Sequence, residues 1–253
     1  MLKKFFVIMV LPGLLAGLMA GAARAAPQDA AQEAFAQGVA ALNAGQANTA
    51  IEKFTAALEA DPDLVEAYIN RGIARIRLEH WQGALADLER AIELAPQAYE
   101  AYYNRGKVYS RQGLYDKALE DYTQALEYAP KDWQIYYNRG NAYLDLGKPA
   151  EALQDFDKAL KLKPDNPEIL HNRGLAYLRL GKAEPALKDF DEVIALNPNF
   201  PRAYYNKGQA LEQLGQKAQA ARAYRQFLQT GHPENDKPLL EKTLIILQGM
   251  GAM

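Results

Sequence analysis

The sequence contains no cysteine. Disulfides, thiol catalysis, Cys-ligated zinc and a cysteine-anchored lipid are therefore excluded, while the redox compartment stays open, since an exported protein need not contain disulfides. Only three histidines occur, His80, His171 and His232. They fall at unrelated places of the repeat described below, so no shared metal site or catalytic triad is expected of them. Charge of either sign is not in excess: 29 Lys and Arg stand against 31 Asp and Glu, a net charge of −2. Nucleic-acid proteins carry a basic surplus, so a polyanion is not an expected partner. A glycine-rich phosphate loop, His-Glu-x-x-His and Gly-x-Ser-x-Gly are all missing, and the carboxylates read as solvated helix faces. No catalytic residue, no metal and no cofactor is expected, and the chain reads as a non-enzyme.

Long apolar runs are scarce as well, with one from Phe5 to Ala23 and no second of spanning length. Lys3 and Lys4 precede it, and Ala23-Arg24-Ala25 follows before Ala26-Pro27. A basic start, an apolar middle and a small-residue site describe a secretory signal over residues 1–25, cleaved after Ala25. The competing reading is an uncleaved inner-membrane anchor, since the run approaches the ~20 residues of a membrane span. Pro12, Gly13, Gly17 and Gly21 interrupt the run and weaken that alternative. Cleavage removes Lys3, Lys4 and Arg24 and no acid, so the net charge moves from −2 to −5. The expectation is an exported, periplasmic protein with no stable membrane span after cleavage.

What the sequence has in abundance is a period. Pro62, Pro96, Pro130, Pro164 and Pro198 are each 34 residues apart, and self-similarity at such a spacing marks a repeat array. Counting from Ala31, the eighth place is Gly38, Gly72, Gly106, Gly140, Gly174 and Gly208. The twentieth is Ala50, Ala84, Ala118, Ala152, Ala186 and Ala220, and the twenty-fourth is Phe54, Leu88, Tyr122, Phe156, Phe190 and Tyr224. Six repeats follow, at 31–64, 65–98, 99–132, 133–166, 167–200 and 201–234, after a short linker at 26–30. Within each unit apolar residues recur every three or four places, which predicts two amphipathic helices. Gly45, Gly113, Gly147, Gly181 and Gly215 supply the left-handed residue that ends the first helix, and the proline closes the second. A mid-helix glycine is about 1 kcal/mol less favourable than alanine. Close approach of two helices, such as Gly140 against Ala152, is the expected reason for glycine at the eighth place.

These residues resemble the tetratricopeptide repeat family, a 34-residue helix–turn–helix. Repeat four carries the pattern almost whole, with Tyr136, Gly140, Tyr143, Gly147, Ala152, Phe156, Ala159 and Pro164. Repeat one departs at Ala34 and Ala41, and repeat six at Phe227 and His232, as expected of units with one neighbour. The resemblance implies an all-α, right-handed solenoid, with residues 235–253 as a C-terminal capping helix and tail. Leu239, Leu240, Thr243, Leu244, Ile246, Leu247 and Met250 fall on one face of that helix, and Ile245 is the stray.

In this family the first helices line a concave groove, and the sixth place faces it. Here that place is Asn70, Asn104, Asn138, Asn172 and Asn206. Asparagine is an indifferent helix former, and its amide offers both donor and acceptor to a peptide backbone. Two roles stay open to it: gripping a ligand, or bonding to the neighbouring repeat. At the fifth place stand Tyr103, Tyr137, His171 and Tyr205, an aromatic stripe suited to contact or to packing. The groove charges balance, with Arg77, Lys107, Arg111, Arg179 and Arg202 against Glu66, Glu100, Asp145, Glu168 and Glu212. The family's two-carboxylate clamp is incomplete: Asn141, Asn172 and Arg202 are present, but Tyr137 and Asn206 stand where cations belong. Arg71, Arg105, Arg139 and Arg173 accompany Asp87, Asp121, Asp155 and Asp189, which predicts an ion pair across each helix pair. The expected function is an exported scaffold holding a protein or extended peptide in its groove, with a structural assembly subunit that self-associates through the terminal repeats or the C-terminal helix as the alternative.

Overall fold

The computed structural model describes residues 22–232 and 234–251. Positions 1–21, most of the expected signal, lie outside the described residues. Among the described residues every regular element is an α-helix, thirteen in all, and none is long and apolar enough to cross a membrane. The contacts divide the chain into two units, one ending at Pro130 and one beginning at Lys131.

The first unit contains α1 (Ala22–Asn43), α2 (Ala47–Ala60), α3 (Val65–Arg77), α4 (Trp81–Leu94), α5 (Tyr99–Arg111) and α6 (Tyr115–Tyr128). Residues 26–30 belong to α1 rather than to a separate linker, consistent with the alanine richness of this stretch. A continuous core runs through the unit, including Phe35, Leu42, Phe54, Ile69, Leu88 and Val108. The turn inside each pair is closed by an amide reaching back five residues, Gln46 to Ala41, His80 to Arg75 and Leu114 to Tyr109, each at 2.9 Å. That closure needs a left-handed residue. Gly45 and Gly113 supply it at φ 76° and 74°, but repeat two places Glu79 there at φ 60°.

The second unit contains α7 (Trp133–Asp145), α8 (Pro149–Leu162), α9 (Pro167–Arg179), α10 (Ala183–Leu196), α11 (Pro201–Gln213), α12 (Lys217–Thr230) and α13 (Lys237–Gly249). Asp132 and Asn166 cap α7 and α9, their side-chain oxygens accepting from Gln134 N, and from Glu168 N and Ile169 N. Leu239, Leu240, Ile246 and Leu247 of α13, with Met250 just after its end, join the core of repeat six. Leu244, at the edge of the expected apolar face, is 46% exposed, and Ile245 is 68% exposed.

Two packing relations recur along the array, the first in all six repeats and the second in repeats two to five. The eighth-place glycine lies first of all under the side chain at place twenty-four; in repeat two the expected approach to the twentieth-place alanine is present as well, a methyl added at Gly72 lying 3.6 Å from the Ala84 carbonyl oxygen. A methyl group added at Gly140 would sit 2.7 Å from the Phe156 ring, one at Gly174 2.6 Å from Phe190, and one at Gly106 2.8 Å from Tyr122. Only in repeat two, where Leu88 replaces a ring, does the separation relax to 3.1 Å. Glycine is therefore the space into which a fully buried ring inserts.

The second relation is the expected ion pair. Arg71–Asp87, Arg105–Asp121 and Arg173–Asp189 close at 2.7 Å and Arg139–Asp155 at 2.8 Å, with each aspartate side chain at most 5% exposed. The same cation reaches place twenty-five of the repeat before it, where Arg71 donates to Thr55 and Arg173 to Asp157. A single guanidinium thus ties one helix pair together and anchors it to its predecessor.

Candidate functional site

The first helices hold the aromatic stripe by a contact with place twenty-four. Tyr103 tilts on Tyr122 at 6.1 Å, Tyr137 on Phe156 at 6.2 Å, His171 on Phe190 at 5.9 Å and Tyr205 on Tyr224 at 5.7 Å. This buries His171 and Tyr205, at 7% and 4% exposure, whereas Tyr103 and Tyr137 are half-buried. The stripe is therefore seated on the core in all four repeats and reaches solvent in two.

The asparagines are also set deeper than an exposed ladder would be, because each follows a fifth-place side chain seated on the core, an aromatic ring in four repeats and Ile69 in repeat two. Asn70 is wholly buried, Asn104 and Asn206 are buried, and Asn138 and Asn172 are half-buried. Their amides divide into two sets. Asn70, Asn104 and Asn138 each donate at 2.8 Å to the carbonyl four residues back, at Glu66, Glu100 and Gln134. Asn172 instead donates to Asn141 Oδ1 at 2.7 Å and to Tyr137 Oη at 3.2 Å. Asn206 lies 2.8 Å from His171 Nε2, and His171 Nδ1 lies 3.1 Å from Asn172 Oδ1.

A continuous polar chain therefore crosses three first helices of the second unit, from Tyr137 and Asn141 on α7 through Asn172 and His171 on α9 to Asn206 on α11. Burial lowers the His171 pKa to about 4, the bond to Asn172 opposes that shift, and the charge of Arg202 adds to it. Burial also pushes the Tyr137 hydroxyl up, against its bonds to Asn141 and Asn172. Asn141 is the member that the sixth-place pattern alone does not reveal; its signal is an amide at place nine one repeat before Asn172.

Several of the charges expected in the groove are engaged within the protein. Arg77 donates to the Leu42 carbonyl and Arg179 to that of Leu144, in each case capping the first helix of the preceding repeat. Arg202 reaches Asp236 at 3.3 Å, and Glu212 accepts from the Tyr224 hydroxyl. Between the exposed Asp145 on α7 and Glu168 and Arg179 on α9 lies a patch of amide and phenol side chains, Tyr137, Asn138, Asn141 and Asn172, all half-buried. Such a surface can pair with main-chain groups of a bound segment without selecting for charge. Among the described residues no group of His, Asp or Glu is arranged to hold a metal ion.

The tetratricopeptide repeat family model matches residues 103–167 and 171–235, and a related repeat model matches 74–113. Among solved structures, YrrB, described as a TPR protein with an unusual peptide-binding site, is 25% identical with a TM-score of 0.65 over 75% of this chain and 97% of its own. PilF of Pseudomonas aeruginosa is 19% identical with a TM-score of 0.72, covering 85% of this chain and 99% of its own. A repeat protein from Parabacteroides merdae is 20% identical with a TM-score of 0.68, over 89% and 93% of the two chains. No curated protein matches the sequence.

Proposed function

Because the chain belongs to the tetratricopeptide repeat family, we propose that it is an exported, non-enzymatic scaffold that holds an extended peptide, or a protein surface presenting one, on its first helices. At the general level, a chain of such repeats is a protein-interaction scaffold. The observation that carries the finer reading is the half-buried amide cluster of Asn138, Asn141 and Asn172 beside Tyr137. It places rigid aromatic area next to paired donors and acceptors, the composition of surfaces that hold peptide main chain. The peptide-binding site described for YrrB, which shares this architecture, supports the same use.

Export rests on the sequence of residues 1–25, with periplasmic release as the outcome and an inner-membrane anchor as the alternative. Intact-mass measurement of protein from cell extracts tests it: a chain beginning at Ala26 supports export with cleavage, and a retained Met1 on membrane material supports the anchor. Selection of a displayed random-peptide library on the full-length chain tests the binding reading, with enrichment of peptides that contact α7 and α9 as the expected result. A second reading, assembly through the C-terminal helix, is favoured by the exposure of Leu244 and Ile245. Light scattering over a concentration series separates the two.

A further inference from the structure

Repeat six breaks the packing rule of repeats two to five. Repeats two to five fill the space between their helices with the Arg–Asp pair and, at the eleventh place, with Arg75, Tyr109, Tyr143 or Tyr177. Repeat six carries Lys207, Ala223 and Leu211 at these three places. The shorter side chains leave an open hollow of about 500 Å³ between α11 and α12, bordered by Tyr204, Lys207, Leu211, Arg222, Ala223 and Arg225, and none of the residues lining it is acidic. Asp191 on α10 meets Lys207 at 2.5 Å and neutralises that one cation.

Two further observations give the hollow a sign. Helix α12 carries Lys217, Arg222 and Arg225 and no acid, whereas α2, α4, α6, α8 and α10 each carry more acids than bases. Place twenty-five is where Thr55, Asp157 and Asp191 meet the cation of the next repeat. In the last repeat that place is Arg225, so the position has changed from acceptor to donor.

We propose that this hollow is a second binding site, separate from the first-helix face, for an acidic peptide segment of a partner protein. Guanidinium groups pair with carboxylates in a planar, two-bond geometry that gives direction as well as attraction. Tyr204 supplies a wall against which an adjoining side chain packs, and Gln226 and Gln229 place amides where peptide groups would pass. A concave, amide-lined site of this size suits a peptide; a bilayer surface calls for a broad basic face instead.

The test is fluorescence anisotropy of the full-length chain with a labelled peptide of alternating glutamate and alanine, and with its lysine counterpart as control. The glutamate peptide is expected to bind, more weakly as salt is raised, and the lysine peptide not to bind. Arg222→Glu, alone and with Arg225→Glu, should lower that affinity, by about tenfold or more in the double variant, while the protein stays folded, because both side chains are exposed. Ala223→Asp, which restores the acid of repeats two to five and places a carboxylate in the hollow, should abolish binding while Arg222 and Arg225 are left in place. Asn138→Ala with Asn172→Ala should leave it intact, so failure here is distinguishable from failure of the first-helix reading. Three results would overturn the proposal: no glutamate-peptide binding, binding that survives both the charge reversal and Ala223→Asp, or attraction only to phosphatidylglycerol vesicles. Self-association that disappears on charge reversal, with no peptide binding, would also overturn it in favour of a second copy as the occupant.

Discussion

His171 on α9 and Asn206 on α11 meet side chain to side chain at 2.8 Å. The Asn206 amide donates, so His171 Nε2 accepts, and the ring proton resides on Nδ1, which donates to Asn172 Oδ1 at 3.1 Å. A neutral imidazole is the form that satisfies both neighbours.

This makes the second unit sensitive to acid. The folded pKa of about 4 lies below the ~6.5 of an unperturbed histidine. Between these values the unfolded chain binds a proton that the folded chain does not. Stability is therefore complete above the unfolded value and falls as pH drops toward 4, by on the order of 3 kcal/mol in total. His171→Tyr, matching Tyr103, Tyr137 and Tyr205, should remove this component. Urea unfolding at neutral and mildly acidic pH checks it: equal pH dependence in the parent and variant would contradict the assignment.

Glu79 is the one non-glycine among the six inner turns, at φ 60°. The left-handed region is about 1–2 kcal/mol unfavourable for a residue with a Cβ, and glycine's greater freedom in the unfolded chain offsets part of the gain. Glu79→Gly should therefore stabilise the protein by roughly 0.5–1 kcal/mol. An unchanged or lower urea midpoint would show that the Glu79 side chain contributes more than its strain removes.

Gly140→Ala tests the packing of rings against place eight. Helix propensity alone favours alanine by about 1 kcal/mol, but the new methyl would lie 2.7 Å from the Phe156 ring. Overpacking of a buried ring typically destabilises by about 1–3 kcal/mol, so the variant should unfold more easily. Gly72→Ala, facing Leu88 at 3.1 Å, should be distinctly milder. A reversed order in thermal unfolding would refute the ring-seat explanation.

The period, the helix pairs, the turn glycines and the Arg–Asp pairs were legible in the sequence because each depends on residues a few places or one repeat apart. The depth of the candidate site was not. Asparagine recurs five times at the sixth place, yet Asn104 bonds within its own helix and Asn172 bonds to α7. That difference is decided by Asn141, which is present only in repeat four at that place. Likewise, the sequence leaves contact and packing equally open for the fifth-place rings, because their seat on place twenty-four is an effect of helix packing rather than spacing. The hollow in repeat six was visible only as a missing pair, Lys207 with Ala223; its volume follows from how α11 and α12 meet.

The most direct measurement is partner binding and thermal unfolding on the same set of variants, using a peptide selected on the full-length chain. Asn138 and Asn172 are half-buried on the proposed face, whereas Asn70 is wholly buried. Asn138→Ala with Asn172→Ala removes hydrogen bonds worth roughly 0.5–1.5 kcal/mol each, so affinity should fall about fivefold to a hundredfold. Its melting temperature should fall modestly, because alanine's helix propensity offsets only part of the loss of Asn172, which bonds to His171, Asn141 and Tyr137, and the variant should remain folded. Asn70→Ala should bind as the parent does. Normal binding by the double variant, or a loss in Asn70→Ala equal to that in the double variant, would contradict a peptide site on the first helices.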